Sequence, residues 1–427
     1  MAVNRRNFVL GTLGVGALLV GVGTWLRPGD RGGPYNDYFR ALNKELREKG
    51  PMRPVLLIDL DRLDHNIDVV MQSVKRGGKQ LRLVEKSLPS PGLLSYIAQR
   101  TGTQKLMSFH QPFLNRDAVT FAQSDILLGK PLPVRSAELF YQIHKGPFDP
   151  ARQLQWLLDS PERLQQYLAL AQGLGTRMRI NIELDVGLHR GGVSDVNVLG
   201  QMLALISANP QHLQFSGFMG YDPFVGMGVP GILGPPEELF ARVMVIYQRC
   251  VDFTRQQFSG LWHDGLCLNT AGSPSYRIHE KETLSTEVSV GTAMLKPTHY
   301  DLPSLVDHVP ATYIATPVLK STGAVNIPAL DDKSTLFSWW DQNQRQTFFI
   351  YGGNWMAEFE SPQGLQSNTV YGRSSNQEMV NGSNAVGLKI EDHVFLRPTQ
   401  SEAVLLQFGD LLAVRGGKIV DSWAVYT

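Results

Sequence analysis

A (β/α)8 barrel followed by an all-β domain is the fold class that the chain predicts, and three observations carry it. Eight short apolar runs recur over residues 81–84, 106–109, 126–128, 154–158, 179–184, 213–219, 265–268 and 287–290, each followed by turn residues. Between them lie longer segments with helical spacing, over 92–100, 161–173, 196–208 and 236–258. After about Pro303 the texture changes to short β-like runs broken by Gly, Asn, Asp and Ser. Strand alternating with helix at this spacing argues for a parallel sheet, and eight such units over roughly two hundred residues argue for a closed barrel. An open doubly wound sheet is the alternative; no Gly-x-Gly-x-x-Gly follows any strand, so its usual dinucleotide signal is missing.

At 427 residues the chain exceeds one ordinary domain and fits two folded units plus a tail. With 43% hydrophobic and 19% charged residues it is neither a disordered chain nor a polytopic membrane protein. A formal net charge of +1 gives no electrostatic case for nucleic acid as a partner. Cys250 and Cys267, the two cysteines, stand in apolar stretches without metal-ligand spacing and read as core residues.

Residues 1–32 read as targeting sequence. Asn4-Arg5-Arg6-Asn7-Phe8 leads into an apolar, glycine-rich run over 8–25 that resembles a twin-arginine export signal, with asparagine where serine or threonine is usual. The run is just long enough to span a bilayer, so an uncleaved anchor in the inner membrane is the alternative to cleavage. Either outcome puts the folded mass in the periplasm.

The remaining elements follow in order. Tyr38, Phe39, Leu42 and Leu46 have helical spacing; residues 54–60 read as a strand; 61–74 reads as an amphipathic helix with Leu63, Ile67, Val70 and Met71 on one face. The barrel is expected over 33–303, with the strand at 54–60 open to sharing with the second domain. The β domain is expected over 304–427, with strand runs at 309–319, 346–351, 385–396 and 405–423. Gly416-Gly417, between two β-like runs, is a hairpin signal.

A barrel of this kind builds its active site from the loops at the carboxyl ends of the strands. Those loops hold Lys86, His110, Lys130, Asp159, the run 185–192, Gly220-Tyr221-Asp222, residues 269–273 and Gly291-Thr292. A lysine that is partly desolvated at a strand end has its ammonium form disfavoured and can act as a free amine. Thr270 to Ser275, short and rich in hydroxyls and small residues, is the best candidate for an anion-holding turn. A lysine on one strand with a phosphate site across the barrel is an arrangement that suits pyridoxal phosphate.

Here a resemblance becomes specific. Over about residues 54–427 the chain resembles the alanine racemase-type, fold type III pyridoxal phosphate enzymes, nearest to their D-threonine aldolase and D-serine dehydratase branch. Lys86-Ser87 falls where that branch has its Schiff-base lysine. Asp185-Val186-Gly187-Leu188-His189-Arg190-Gly191-Gly192-Val193 is similar to its Asp-x-Gly-x-x-Arg-x-Gly-Val segment, Gly220-Tyr221-Asp222 to its Gly-Tyr-Glu, 270–275 to its phosphate loop, and Thr286-Glu287 with Gly291 and Tyr300-Asp301 to its closing strand. The resemblance implies Lys86, Arg190 and Tyr221 as catalytic and cofactor-binding residues, with Thr270, Gly272 and Ser273 on the phosphate. Arg190 would sit near the cofactor ring or the substrate carboxylate. Tyr221 would hydrogen-bond near the cofactor or pack against it, and His189 reads as a supporting or surface residue.

The branch also holds a divalent metal through a histidine and a second ligand two residues later. Gln400 and Glu402 occupy those places here, and Gln377-Glu378-Met379 replaces its upstream Glu-His pair. Glutamine is a poor transition-metal ligand, which leaves Glu402 as a weak oxygen ligand at most. The expected activity is a lyase acting on a small D-amino or β-hydroxy D-amino acid, by aldol cleavage or β-elimination. A racemase of the same fold is the enzyme alternative, its second acid/base sought among Tyr351, Tyr371 and Tyr426; a cofactor-binding protein without turnover is the third reading. The resemblance also implies a homodimer.

Overall fold

A computed structural model describes residues 27–227, 234–326, 338–402 and 404–427. The twin-arginine-like motif and the apolar run 8–25 lie outside the described residues. Among those described, no helix is long and apolar enough to cross a membrane. In chain order the strands are β1 (Val55–Asp59), β2 (Gln80–Val84), β3 (Lys105–Ser108), β4 (Asp125–Leu128), β5 (Leu154–Leu158), β6 (Met178–Leu184), β7 (Leu213–Gly220), β8 (Cys267–Thr270), β9 (Glu287–Val290), β10 (Thr312–Gly323), β11 (Gln346–Tyr351), β12 (Ala357–Ser361), β13 (Gln366–Ser367), β14 (Gln377–Gly382), β15 (His393–Pro398), β16 (Leu411–Arg415) and β17 (Lys418–Trp423).

Strands β2 to β9 close into a parallel barrel, and they are the eight predicted runs. Closure is made by β2 against β9, with Gln80 opposite Glu287 and Leu83 opposite Val290. The strands read as near-continuous apolar runs because both faces are buried, one against helices and one in the barrel interior. Connections end and begin on ordinary signals. Ser160 caps the helix Pro161–Leu174, which stops at Gly175 with φ 61°. Ser90 caps Pro91–Thr101, with proline at the first helical position.

The barrel interior is polar on one layer. Arg82, fully buried on β2, donates to Glu287 Oε1 at 2.5 Å and Oε2 at 3.0 Å, and to Asp125 Oδ1 at 2.6 Å. Lys105 adds a contact at 2.9 Å to Glu287 Oε2, and Arg179 one at 2.8 Å to Asp125 Oδ2. Burial alone would raise the Glu287 carboxyl, but the facing Arg82 outweighs it and holds it down at about 2.

Two compact units divide the chain differently from the expected boundary near residue 303. One comprises the described residues of Leu56–Tyr313 with Pro398–Thr427; the other comprises the described residues before Leu56 with those of Ile314–Arg397. In the first, β1 is not a barrel strand. It runs parallel to β16, Leu56 opposite Leu411, and β16 continues antiparallel into β17 through the predicted Gly416-Gly417 hairpin, both glycines having positive φ. In the second, β10 pairs antiparallel with β11 and β15, β14 with β11 and β13, and β12 with β15. The run at 385–396 is extended only from His393, because Asn384–Val386 forms a 3-10 turn stopped by Gly387 at φ 69°. Likewise Leu405–Gln407 is a 3-10 turn rather than strand, and β12 to β14 arise where no run was expected. The helix expected around Tyr38 to Leu46 is Asp37–Lys49, capped by Asn36.

The buried Arg82–Glu287 pair gives a direct test. Glu287→Gln leaves Arg82 underpaired and is expected to lower unfolding free energy by about 3–5 kcal/mol at neutral pH, read by chemical denaturation. In the native chain, a carboxyl held below its unfolded value of 4.5 contributes stability above that pH and loses it as the pH falls through about 2, so acid should narrow the difference between the two proteins.

Candidate active site

Strand β2 ends at Val84, and Glu85–Ser87 continues it as one turn of 3-10 helix. That turn lifts Lys86 out of the core: its side chain is 44% exposed, while Glu85 and Ser87 on either side are buried. Lys86 Nζ donates to Glu402 Oε1 at 2.9 Å and lies 5.1 Å from the centre of the Phe109 ring. Ser87 Oγ donates to the same Glu402 oxygen at 3.0 Å, and Thr292 Oγ1 donates to Ser87 Oγ at 2.9 Å. Burial would raise the Glu402 carboxyl; the Lys86 ammonium ion beside it more than compensates and holds it below the usual value.

Lys86, Arg190, Tyr221, Gly272, Ser273, Tyr300 and Glu402 all line one cavity at the carboxyl ends of the barrel strands. Arg190 reaches it from a glycine-rich loop. Asp185 Oδ1 accepts from the Gly187 and His189 amides at 3.0 and 2.9 Å, and its Oδ2 faces His189 Nδ1 at 2.9 Å. His189, 82% exposed and at φ 55°, therefore pins the loop rather than entering the cavity. The Arg190 guanidinium stands 5.0 Å from the centre of the Tyr221 ring, a cation–π distance. Tyr221 is packed on Gly272: a Cβ there would lie 2.4 Å from its ring. Burial, first, pushes the Tyr221 phenol well above its ordinary value, so it stays protonated.

Across from Lys86, Ser273 Oγ accepts the amides of Ala293 at 2.9 Å and Gly291 at 3.4 Å, tying the turn after β8 to the turn after β9. A Cβ on Gly291 would sit 2.9 Å from Val84 at the end of β2, so only glycine lets the turn after β9 close on that strand. Thr270 departs from expectation. Strand β8 runs two residues past the predicted end, and Thr270 becomes its last residue. With Cys267 and Asn269 pointing inward to Glu287, alternation turns Thr270 the other way, where its Oγ1 lies 3.2 Å from His279 Nδ1. Thr270 therefore supports the turn from behind and is not among the residues that line the cavity. Tyr300 and Asp301, expected in a closing strand, lie instead at the end of a 3-10 turn, Thr298–Tyr300, and just beyond it.

An outer chamber shares Lys86, Arg190 and Glu402 and adds His110, Lys130, Asp159, Glu183 and Gln400. Glu183 was not singled out in the sequence, although the alternation of Arg179, Asn181 and Glu183 in β6 marks it as inward-facing. Burial and then the nearby Asp159 charge push its carboxyl up to about 7. Gln400 and Glu402 do not fit a metal site, since Glu402 Oε1 is taken by Lys86 and Ser87 and no group of three or more His, Cys, Asp or Glu among the described residues could hold an ion. Glu378, from the second altered position, is buried in the other unit, where it accepts from Ser367 Oγ at 2.7 Å and the Asn354 amide at 2.6 Å.

Beneath Lys86 lies a second feature the sequence did not announce. Glu85 and Asp117 are fully buried, and Glu85 Oε1 and Asp117 Oδ2 have no hydrogen-bond partner among the described residues. Ser108 Oγ donates to Glu85 Oε2 at 3.3 Å, and the Tyr426 hydroxyl donates to Asp117 Oδ1. Two carboxylates cannot both ionise in such a place. Burial pushes Asp117 up to about 7, and burial together with Asp117 raises Glu85 well above its usual value. An acid whose folded value exceeds its unfolded one binds its proton more tightly when folded, so its contribution to stability falls as pH rises between the two values. Melting temperature should therefore decline from about pH 4 through about pH 7, and Asp117→Asn should flatten that decline in a calorimetric pH series.

Residues 58–298, more than half of the chain, match the family model described as alanine racemase, N-terminal domain. A search of curated proteins gives no match. Among solved structures, D-threonine aldolase from Filomicrobium marinum aligns over 88% of this chain and 97% of its own, at 16% identity and a TM-score of 0.64. D-threo-3-hydroxyaspartate dehydratase from Delftia sp. HT23 aligns over 87% and 97%, at 16% identity and 0.66. Alanine racemase from Bacillus anthracis with bound L-Ala-P aligns over 88% and 98%, at 14% identity and 0.64. A closed eight-stranded barrel with Lys86 at the end of its first strand, matched by that family model, belongs to the alanine racemase N-terminal domain family, the fold type III group of pyridoxal phosphate enzymes.

Proposed function

We propose that the chain is a pyridoxal phosphate-dependent lyase acting on a small D-amino or β-hydroxy D-amino acid, by aldol cleavage or β-elimination. The observation that carries this reading is the convergence of Lys86, Arg190, Tyr221, Gly272 and Ser273 on one cavity. The residues present fit the cofactor: an amine at the mouth, a cation stacked on an aromatic ring, and opposite them two backbone turns tied together through Ser273 Oγ. When bound, the cofactor supplies an electron sink for the bond broken at the substrate's α-carbon.

Lys86 would hold the cofactor through Nζ and act as base once that nitrogen is free. Glu402 anchors the ammonium group and fixes its direction at 2.9 Å. Arg190 offers its cation to the ring or to the substrate carboxylate, and Tyr221 keeps it from swinging into solvent. Ser273 and the Gly291 and Ala293 amides it accepts stand on the anion side. The two hydroxyl chemistries need opposite partners: aldol cleavage needs a base for the hydroxyl proton, and elimination needs an acid for the departing hydroxide. Glu402, held ionised, suits the first; Glu183, which keeps a proton up to about pH 7, suits the second. A racemase is the second reading, since alanine racemases share the fold, but Tyr426 is bonded to Asp117 and is not available as its second acid/base.

The purified protein should carry the absorbance of bound cofactor, and Lys86→Ala should lose it together with more than about 10³-fold of turnover; a native protein without the chromophore overturns the reading. Product analysis with D-threonine, D-serine and D-alanine then separates the chemistries, because aldehyde plus glycine, keto acid plus ammonia, and L-alanine are distinct outcomes. Activity should survive a chelator.

We also infer export across the inner membrane, on the strength of Arg5-Arg6 before the apolar run. Cell fractionation should find the native chain in the periplasm or on the outer side of that membrane, and a paired Arg5→Lys, Arg6→Lys change should hold it in the cytoplasm.

A further inference from the structure

Behind the turn at 270–275 runs a buried charged chain that the reaction above leaves unused. His279 sits on the 3-10 turn Ile278–Lys281 with its side chain fully buried. Its Nε2 lies 2.9 Å from Asp222 Oδ2, and its Nδ1 lies 3.3 Å from Glu282 Oε1 and 3.2 Å from Thr270 Oγ1. An ionised carboxylate offers only lone pairs, so a ring nitrogen facing one bonds to it only by carrying hydrogen. A neutral imidazole carries one such hydrogen and the imidazolium two, which makes the doubly faced ring a cation. Lys79 Nζ, 3% exposed, lies 2.7 Å from Glu282 Oε1, so two carboxylates meet two cations. Two uncharged groups also touch it among the described residues: the Thr270 hydroxyl and the Phe240 ring, whose centre is 4.9 Å from that of the imidazole. Burial would lower the His279 value, but Asp222 and Glu282 outweigh it and push it up to about 9.

From this cation the chain reaches the cavity wall in short steps. Asp222 Oδ1 accepts from Ser275 Oγ at 2.7 Å, and Ser275 Oγ accepts from the Gly272 amide at 3.2 Å. Because the hydroxyl proton is committed to Asp222, its lone pair is directed at Gly272, and the turn takes the shape in which Ser273 receives the Gly291 and Ala293 amides. Loss of the cation would leave Asp222 buried and short of a partner, and its hold on Ser275 would change.

We propose that His279 is a positioning residue for the anion side of the cavity: as an imidazolium it fixes Asp222 and Ser275, and through them the Gly272–Ser275 turn that receives the cofactor's phosphate ester. The inference rests on the cofactor reading above. Its signature is selectivity for phosphate, because pyridoxal shares the aldehyde and ring of the cofactor but lacks the ester.

The full-length chain freed of cofactor is titrated with pyridoxal phosphate and with pyridoxal, and the ratio of the two affinities is measured from pH 7.5 to 10. His279→Gln and Ser275→Ala should each cut the ratio at pH 7.5 by about tenfold or more while leaving pyridoxal affinity nearly unchanged. The native ratio should itself fall as the pH passes about 9, and the His279→Gln ratio should not. Inorganic phosphate should compete with pyridoxal phosphate less well in both variants. Equal loss of both ligands, or a native ratio that does not change with pH, overturns the proposal. Should His279→Gln fail to fold, Ser275→Ala and the native pH series decide. A native chain that binds neither ligand defeats the cofactor reading instead, which keeps the two failures apart.

Discussion

Arg82 and Glu287 close the barrel, and the site is built outward from that closure. They stand on the first and last barrel strands, joined by two hydrogen bonds with neither side chain exposed. Desolvating such a pair costs more than a simple ion contact returns, so it is tolerated only where every donor is used. Arg82 meets that condition: beyond Glu287 it reaches the Leu106 carbonyl at 2.8 Å, the Asp125 carbonyl at 2.9 Å and the Asp125 carboxylate. These bonds tie β2 to β3, β4 and β9 at one level, and they fix register as an apolar layer could not. A one-residue slip of β2 would turn Arg82 toward the helices and Leu81 or Leu83 into the acids. Since Lys86 follows four residues later, in the 3-10 turn that continues β2, that register also decides which way the amine points.

Above this layer, each charged group at the mouth is matched by a group arriving from elsewhere in the sequence. The last thirty residues fold back onto the barrel unit and supply Glu402 to Lys86. The same segment is held close to the Lys86 turn, with the Tyr426 amide donating to the Pro89 carbonyl at 3.0 Å and Ser90 Oγ donating to the Ala424 carbonyl at 2.8 Å. Trp423 lies against Gly92, where a Cβ would come within 2.5 Å of its ring. The carboxyl terminus is thus part of the catalytic unit in a physical sense: it carries the counter-ion of the lysine and the phenol that satisfies one oxygen of the buried carboxyl pair beneath it.

The sequence revealed the strands well because a parallel barrel strand is buried on both faces and so writes itself as a mostly apolar run. All eight were visible, and so were the loop residues Lys86, Arg190, Tyr221, Gly272 and Ser273, which the topology brings to one end. What escaped was polar and inward. Glu183 hides in an alternation of Arg179 and Asn181 that looks like solvent exposure until the barrel closes around it. Asp117, in a helix, and Tyr426, at the far end of the chain, meet across more than three hundred residues with no local signal of the other. The compact units divide the chain away from residue 303, and β1 takes up the sharing left open for residues 54–60, since it finds its partner at Leu411. Thr270 shows the narrower error: a strand end misjudged by two residues changes which face a side chain presents.

The carboxyl groups of the site differ in protonation because their neighbours differ, and that difference bears on the chemistry. Glu402 faces an ammonium ion and two hydroxyl-bearing residues, Ser87 and Ser401, so its charge is stabilised despite burial. Glu183 faces Asp159 with only the Arg190 charge to offset it, so burial prevails and it keeps its proton near neutrality. A cavity with both kinds on its walls can accept a proton from a hydroxyl on one side and supply one on the other without a metal ion as intermediary. On the proposed reading, which of the two a substrate hydroxyl meets depends on how its carboxylate docks, and Arg190, lining both the inner cavity and the outer chamber, is the cation positioned to set that orientation. On that proposal, choice between cleavage and elimination is a matter of side-chain placement around a fixed lysine.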